Sequence, residues 1–159
     1  MGDFSHLDKT GMAAMVDVSG KQQTLRSALV RGRVQISKHC ADKLSEPTVT
    51  EIVRTARLAG IQASKQTATL VPLCHQVALS SIDVAITFDQ GEQVFVLEAR
   101  SKTQAAVTGV EMEALCAATI AGVTIYDMVK AVDPGATVGP FALVEKHGGK
   151  TGVWTTAND

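Results

Sequence analysis

Asp127 and Lys130 stand three residues apart in the stretch TIYDMVKAVD. At that spacing on a helix a carboxylate and an ammonium share one face. The plain reading of such a pair is a structural salt bridge. A carboxylate in the last turn opposes the helix dipole, whereas the lysine agrees with it. The sharper reading is that Asp127 is tolerated because a site needs it. Glu111 and Glu113 stand at the start of the longer segment that ends in this stretch and point in different directions, so one can cap while the other faces a ligand. His75 follows Cys74 shortly after Pro72. A lone loop histidine is commonly a surface residue or a satisfied hydrogen-bonder. Two adjacent residues cannot complete a metal's coordination sphere, and no third ligand has diagnostic spacing. Adjacent side chains on an extended backbone also point apart, which argues against a Cys–His nucleophile pair. Arg26, Lys65, Lys146 and Lys150 are surface cations or point charges for phosphate. No Walker loop and no dinucleotide glycine fingerprint is present. These residues together suit an anionic ligand.

The elements that must position them follow from periodicity. Thr108 to Asp133 reads as one helix. Thr108 and Glu111 form a capping box, and Asp133-Pro134-Gly135 is a stop signal. From Ala114 to Tyr126 every residue is apolar or small, so this helix is buried on nearly all sides. Ahead of it, residues 1–23 read as an extended arm. Val30, Val34 and Ile36 alternate with Arg31, Arg33 and Gln35, which is strand periodicity with a bulge at Gly32. Residues 38–47 read as a helical turn closed by Pro47. Thr48 and Glu51 form a second capping box. The helix they open carries a stripe of Ile52, Ala56, Ala59 and Ala63 that permits a close approach. Pro72 breaks the next segment. Residues 81–89 and 93–103 form a hairpin about Gln90-Gly91, and residues 141–146 a last strand. From residue 147 to 159 a glycine-rich stretch reads as a flexible tail. The order is β-α-β-β-α-β: an α+β, ferredoxin-like antiparallel sheet with helices on one face.

Its 159 residues suit a single domain, residues 1–159. A net charge of −1 with no basic tail speaks against nucleic acid. No apolar run is expected to reach membrane-spanning length, because Thr119, Thr124 and Asp127 interrupt the buried helix. The N-terminal residues lack the apolar stretch of a signal peptide. Cys40, Cys74 and Cys116 show no C-x-x-C spacing, so neither a disulfide framework nor structural zinc is expected, and a reducing cytoplasm is the default.

Six blocks, in this order, resemble the molybdenum cofactor biosynthesis protein C family, the cyclic pyranopterin monophosphate synthases. They are MVDV (15–18), TARLAGIQASK (55–65), LVPLCH (70–75), TGVEMEAL (108–115), TIYDMVKAVD (124–133) and KHGGKTG (146–152). The resemblance implies a cytoplasmic, ferredoxin-like lyase assembled as a homohexamer, a trimer of dimers with the active site between subunits. It implies conversion of 3′,8-cyclo-7,8-dihydroguanosine 5′-triphosphate to cyclic pyranopterin monophosphate, with release of pyrophosphate and no cofactor. Asp127 and Lys130 match the family's catalytic pair. Leu73, Cys74, His75, Met112 and Glu113 match its substrate-binding positions. Arg26, Lys65, Lys146 and Lys150 match cationic positions. The chain departs from the pattern at Val49-Thr50-Glu51, where the family carries Lys-Gly-Asp, and at Val107, where it carries a lysine or arginine. Those losses motivate a second reading: a silent paralogue that binds a purine triphosphate or pterin as a regulatory subunit. A generic ACT-like effector domain is the third.

Overall fold

The computed structural model describes residues 4–149 and 152–156. Five strands form one antiparallel sheet: β1 (Thr24–Gln35), β2 (Ser81–Asp89), β3 (Val94–Ala106), β4 (Thr137–His147) and β5 (Val153–Thr155), in the order β2-β3-β1-β4-β5. The first four reproduce the ferredoxin-like arrangement, and β5 extends one edge. Helices α1 (Lys38–Ala41), α2 (Glu46–Ser64), α3 (Thr67–Leu70) and α4 (Glu111–Val129) complete the chain, with α2 and α4 packed on the same face of the sheet. The expected tail therefore carries a strand: Val153–Thr155 pairs with the end of β4. Lys150 lies outside the described residues.

β1 alternates as its sequence requires. Val30 and Val34 are fully buried, and Arg31 and Arg33 point out. Its pairing with β4 slips between Gly32 and Val34, while its pairing with β3 stays regular there. Gly32 has to be glycine because the Phe141 ring occupies the place of a side chain.

Both helix starts differ from their capping boxes. α2 begins at Glu46 behind Ser45, whose hydroxyl accepts from the Thr48 amide, so Thr48 lies inside the helix. Pro47 opens this helix rather than closing the preceding turn, since its missing N–H costs nothing in a first turn. α4 begins at Glu111, and its flanking residue Val110 offers no side-chain cap. Here burial decides. Val110 is fully enclosed, and the Ser101 hydroxyl donates to its carbonyl at 2.7 Å. Thr108 is left in the preceding loop.

α4 is long and apolar enough to cross a membrane by length and composition, contrary to the expectation above. In this fold it is the core helix. Ala114, Ala117, Ala118, Ala121, Ile125 and Val129 pack under the sheet and against α2. The small stripe of α2 does permit close approach: a Cβ on Gly60 would stand 2.7 Å from the Ala117 carbonyl oxygen of α4. The far end of α4 is tied down by Asp133, whose carboxylate accepts from the Ser37 amide at 2.6 Å.

Candidate functional site

The start of α4 gathers most of the candidate residues. After α3, Pro72 stops the helix and a turn from Val71 to Cys74 redirects the chain. Leu73, Cys74 and His75 thus come beside Thr108, Gly109 and Met112, and with them they line a cavity of about 850 Å³. The Cys74 thiol donates to the His75 carbonyl. Burial, then the charge of Glu113, pushes that thiol's pKa up, so Cys74 is not an activated nucleophile.

Two cations stand at this end. Lys146 pairs with Ala28 across the sheet and reaches Glu111 at 3.1 Å. Both side chains are about one-third exposed or less. Arg26 precedes Ala28 by two residues, so it lies on the same face of β1. Its Nε is buried with no hydrogen-bond partner among the described residues. Gly148 and Gly149 wrap this guanidinium with φ of +98° and +75°, a backbone region that suits glycine. A side chain on Gly149 would collide with Arg26.

Glu113 is only 2% exposed, and its Oε2 has no hydrogen-bond partner among the described residues. Burial, reinforced by the negative charge of Glu111, pushes its pKa up to about 7. It borders a second, smaller cavity of about 270 Å³ together with Lys65, Ser64, Thr67 and Gln76. A buried acceptor without a donor is costly to a folded chain unless a ligand supplies one. A carboxylate here suits an N–H-bearing heterocycle, and the nearby cations suit phosphate.

Asp127 and Lys130 are elsewhere. Their side chains meet at 2.5 Å, 68% and 54% exposed respectively, at the far end of α4. Glu113 and Lys130 are separated by roughly 25 Å along the helix axis. One chain therefore does not bring this pair to His75 and Glu113. The hydrogen bond from Lys130 to Asp127, then the charge of Asp127, raises the ammonium's pKa. Val49 sits in the opening turns of α2, on a cavity of about 600 Å³ with Leu44, Val53, Ile86 and Phe88. Among the described residues no group of three His, Cys, Asp or Glu side chains is placed to hold a metal ion.

Two features escaped the sequence reading. The Glu111–Lys146 contact joins residues 35 positions apart in a register that only the folded sheet defines. The N-terminal arm also lines the larger cavity, through His6, Val16 and Lys21 among others. The signal available for the arm was its pair of Asp-x-Ser/Thr turns, Asp8-x-Thr10 and Asp17-x-Ser19.

Residues 15–149 match the model of the MoaC family. A cyclic pyranopterin monophosphate synthase of Thermomicrobium roseum is 42% identical, over 100% of this chain and 96% of its own length. One of Bacillus pumilus is 39% identical over 100% and 99%. A protein of Mycobacterium bovis named cyclic pyranopterin monophosphate synthase 2 is 42% identical over 97% and 92%. A de novo designed protein with a ferredoxin fold superposes with a TM-score of 0.39 at 14% identity, over 74% of this chain and 83% of that one; the fold assignment rests on the strand order instead. With a model match across most of its length and full-length relatives near 40% identity, the chain belongs to the MoaC family.

Proposed function

We propose that this protein is a cyclic pyranopterin monophosphate synthase, a pyrophosphate-releasing lyase acting on 3′,8-cyclo-7,8-dihydroguanosine 5′-triphosphate. The observation that carries the reading is the start of α4. There an unpartnered buried carboxylate, the Leu73–His75 segment and two cations converge in a chain whose full-length relatives bear that name. Leu73, Cys74, His75, Met112 and Glu113 hold the guanine-derived ring system. Arg26, Lys65 and Lys146 hold the triphosphate, whose charge needs several cations from different segments.

Asp127 and Lys130 are the catalytic pair, supplied by a second copy. Met112, Cys116, Thr119, Val123 and Lys130 fall on one stripe of α4, five turns from end to end. Met112 and Val123 are exposed on it, and no charge interrupts it before Asp127. Two such stripes packed antiparallel about a twofold axis would set each Lys130 against the other chain's Met112 and Glu113, giving two identical sites. A homohexamer built as a trimer of such dimers, working in the cytoplasm without a cofactor, accommodates this contact. Lys130, kept protonated by Asp127, is then a proton donor to the rearranging ring and to the departing pyrophosphate.

The test is turnover of authentic substrate by purified protein, the product being oxidised to a fluorescent pterin. Lys130→Ala abolishes it. Intact substrate with no product from the parent protein refutes the function. Co-expressed Lys130→Ala and His75→Ala chains test the shared site. Each is inactive alone, and random pairing restores about a quarter of parental activity, because one of the two sites in a mixed dimer is whole. No recovery refutes assembly across chains.

A further inference from the structure

The larger cavity has a wall that neither the strands nor the helices provide. His6, Val16 and Lys21 of the N-terminal arm line it together with Leu73, His75 and Met112. This arm has a built shape. Leu7 and Ala13 form a β-bridge, closed by Asp8 N–H to the Met12 carbonyl at 2.8 Å and Ala14 N–H to the His6 carbonyl at 2.9 Å. The Asp8 carboxylate accepts from the Thr10 amide, the Thr10 hydroxyl and the Met12 amide at 2.8, 2.7 and 3.0 Å. Gly11 completes the turn at φ +83°. A second turn follows, in which Asp17 accepts from the amide and hydroxyl of Ser19 and the Lys21 amide donates to the Val18 carbonyl. It brings Val16, Val18 and Lys21 to the same cavity. Within the hairpin the His6 ring is oriented by its own neighbour: Nδ1 lies 3.4 Å from the Ala14 carbonyl oxygen. A carbonyl can only accept, so Nδ1 is the donor and Nε2 is left for another partner.

We propose that the N-terminal hairpin is the outer wall of the ligand site and that His6, held by it, is a further ligand-contacting residue acting through Nε2. The proposal rests on the cavity being the substrate site and adds a residue and a segment to it. Residues 4–13 are all exposed in this chain, Phe4 at 83% and Met12 at 66%, so the rest of the fold does not need the hairpin for burial. Its internal hydrogen bonds fix its shape before a ligand arrives, which lowers the ordering cost of binding.

The test uses the full chain, with GTP as a non-reacting probe in binding and the cyclised dihydro-GTP in turnover. His6→Ala weakens GTP binding by roughly tenfold, the size of one hydrogen bond to a charged group. His6→Gln sets an amide nitrogen near the place of Nε2 and retains most of the affinity. His6→Asn sets one near Nδ1 instead and behaves as alanine does. Asp8→Ala, which removes the acceptor shared by three donors, weakens binding in the same direction at an unchanged urea midpoint. In the parent protein, GTP slows hydrogen exchange of the Asp8, Met12 and Ala14 amides. A parent that turns over substrate, with His6→Ala and Asp8→Ala binding as well as it does and no slowing of those amides, overturns the role of the arm alone. A parent that neither binds nor turns over falls with the functional reading itself.

Discussion

Glu113→Gln separates the demands of folding from those of binding. The Glu113 carboxyl has a pKa pushed up to about 7 from an ordinary 4.5, chiefly by burial. The folded chain therefore binds that proton more tightly than the unfolded chain does. Below about pH 4.5 both states are protonated and the site costs nothing. As pH rises from 4.5 towards 7, the unfolded state releases the proton first, so stability falls by about 1.4 kcal/mol per pH unit. Above pH 7 the loss levels off at about 3 kcal/mol, which for a domain of this size corresponds to roughly 6–12 °C in Tm. Glutamine keeps the shape and does not titrate. The ligand-free Glu113→Gln protein is accordingly expected to match the parent near pH 4.5 and to exceed it by about 3 kcal/mol at pH 8, while binding substrate worse. Urea unfolding at fixed protein concentration across pH 4.5–8 measures the difference, since association would otherwise contribute. A parent-minus-variant difference that stays flat over this range would refute the assignment of Glu113 as a desolvated, unpartnered acid.

Two further outcomes follow from the helix pair and from the far end of α4. Gly60→Ala places a methyl 2.7 Å from the Ala117 carbonyl oxygen, so despite alanine's better helix propensity it is expected to lose about 1–3 kcal/mol in urea unfolding; unchanged stability would mean α2 and α4 can part at no cost. Asp127→Asn removes the carboxylate charge, the second cause of the raised Lys130 pKa, while leaving an amide oxygen that can still accept the lysine's hydrogen bond, so the alkaline limb of kcat/KM is expected to move to lower pH, and an unmoved limb would take Lys130 out of the titrating step.

The fold was legible where a period met a clear contrast between apolar and charged residues. The alternation about Arg31 and Arg33 and the hairpin from Ser81 to Ala106 survived intact, whereas the charge-free middle of α4 is helical as expected but buried on one side only, with Val123 exposed. Both helix starts were misplaced for the same reason. Thr48 and Thr108 each satisfy a local capping pattern. Pro47, however, is at home in a first turn, and the enclosure of Val110 outweighs a hydroxyl two residues earlier. Local patterns propose such boundaries, and burial chooses among them. The candidate site was legible as residue types and as a helix face. Spacing alone puts about five turns between Met112 and Lys130, yet it does not say that Leu73 to His75 gather at the Met112 end. Nor does any local pattern show that Lys146 reaches Glu111, since that contact is set by the register of β4 against β1.

The separation along α4 explains why this helix is built as it is. A helix buried on every side would have no use for an exposed Val123 or for a charged pair standing in solvent at its end. A helix that met only water along one face would carry charges there, and between Glu113 and Asp127 this one carries none. The stripe is thus intermediate: too apolar for permanent solvent, and too exposed to belong to the core of a single chain. A copy of the same helix run antiparallel removes the contradiction, because each stripe covers the other while opposite ends meet. The same contact would carry Asp127 and Lys130 towards the unpartnered Glu113, so an association that buried the apolar surface would also complete the proposed chemistry. On that account, weakening the stripe with Val123→Lys should abolish turnover and association together while leaving the subunit fold intact. Loss of activity in a protein of unchanged native mass would show that the stripe serves something other than a second copy.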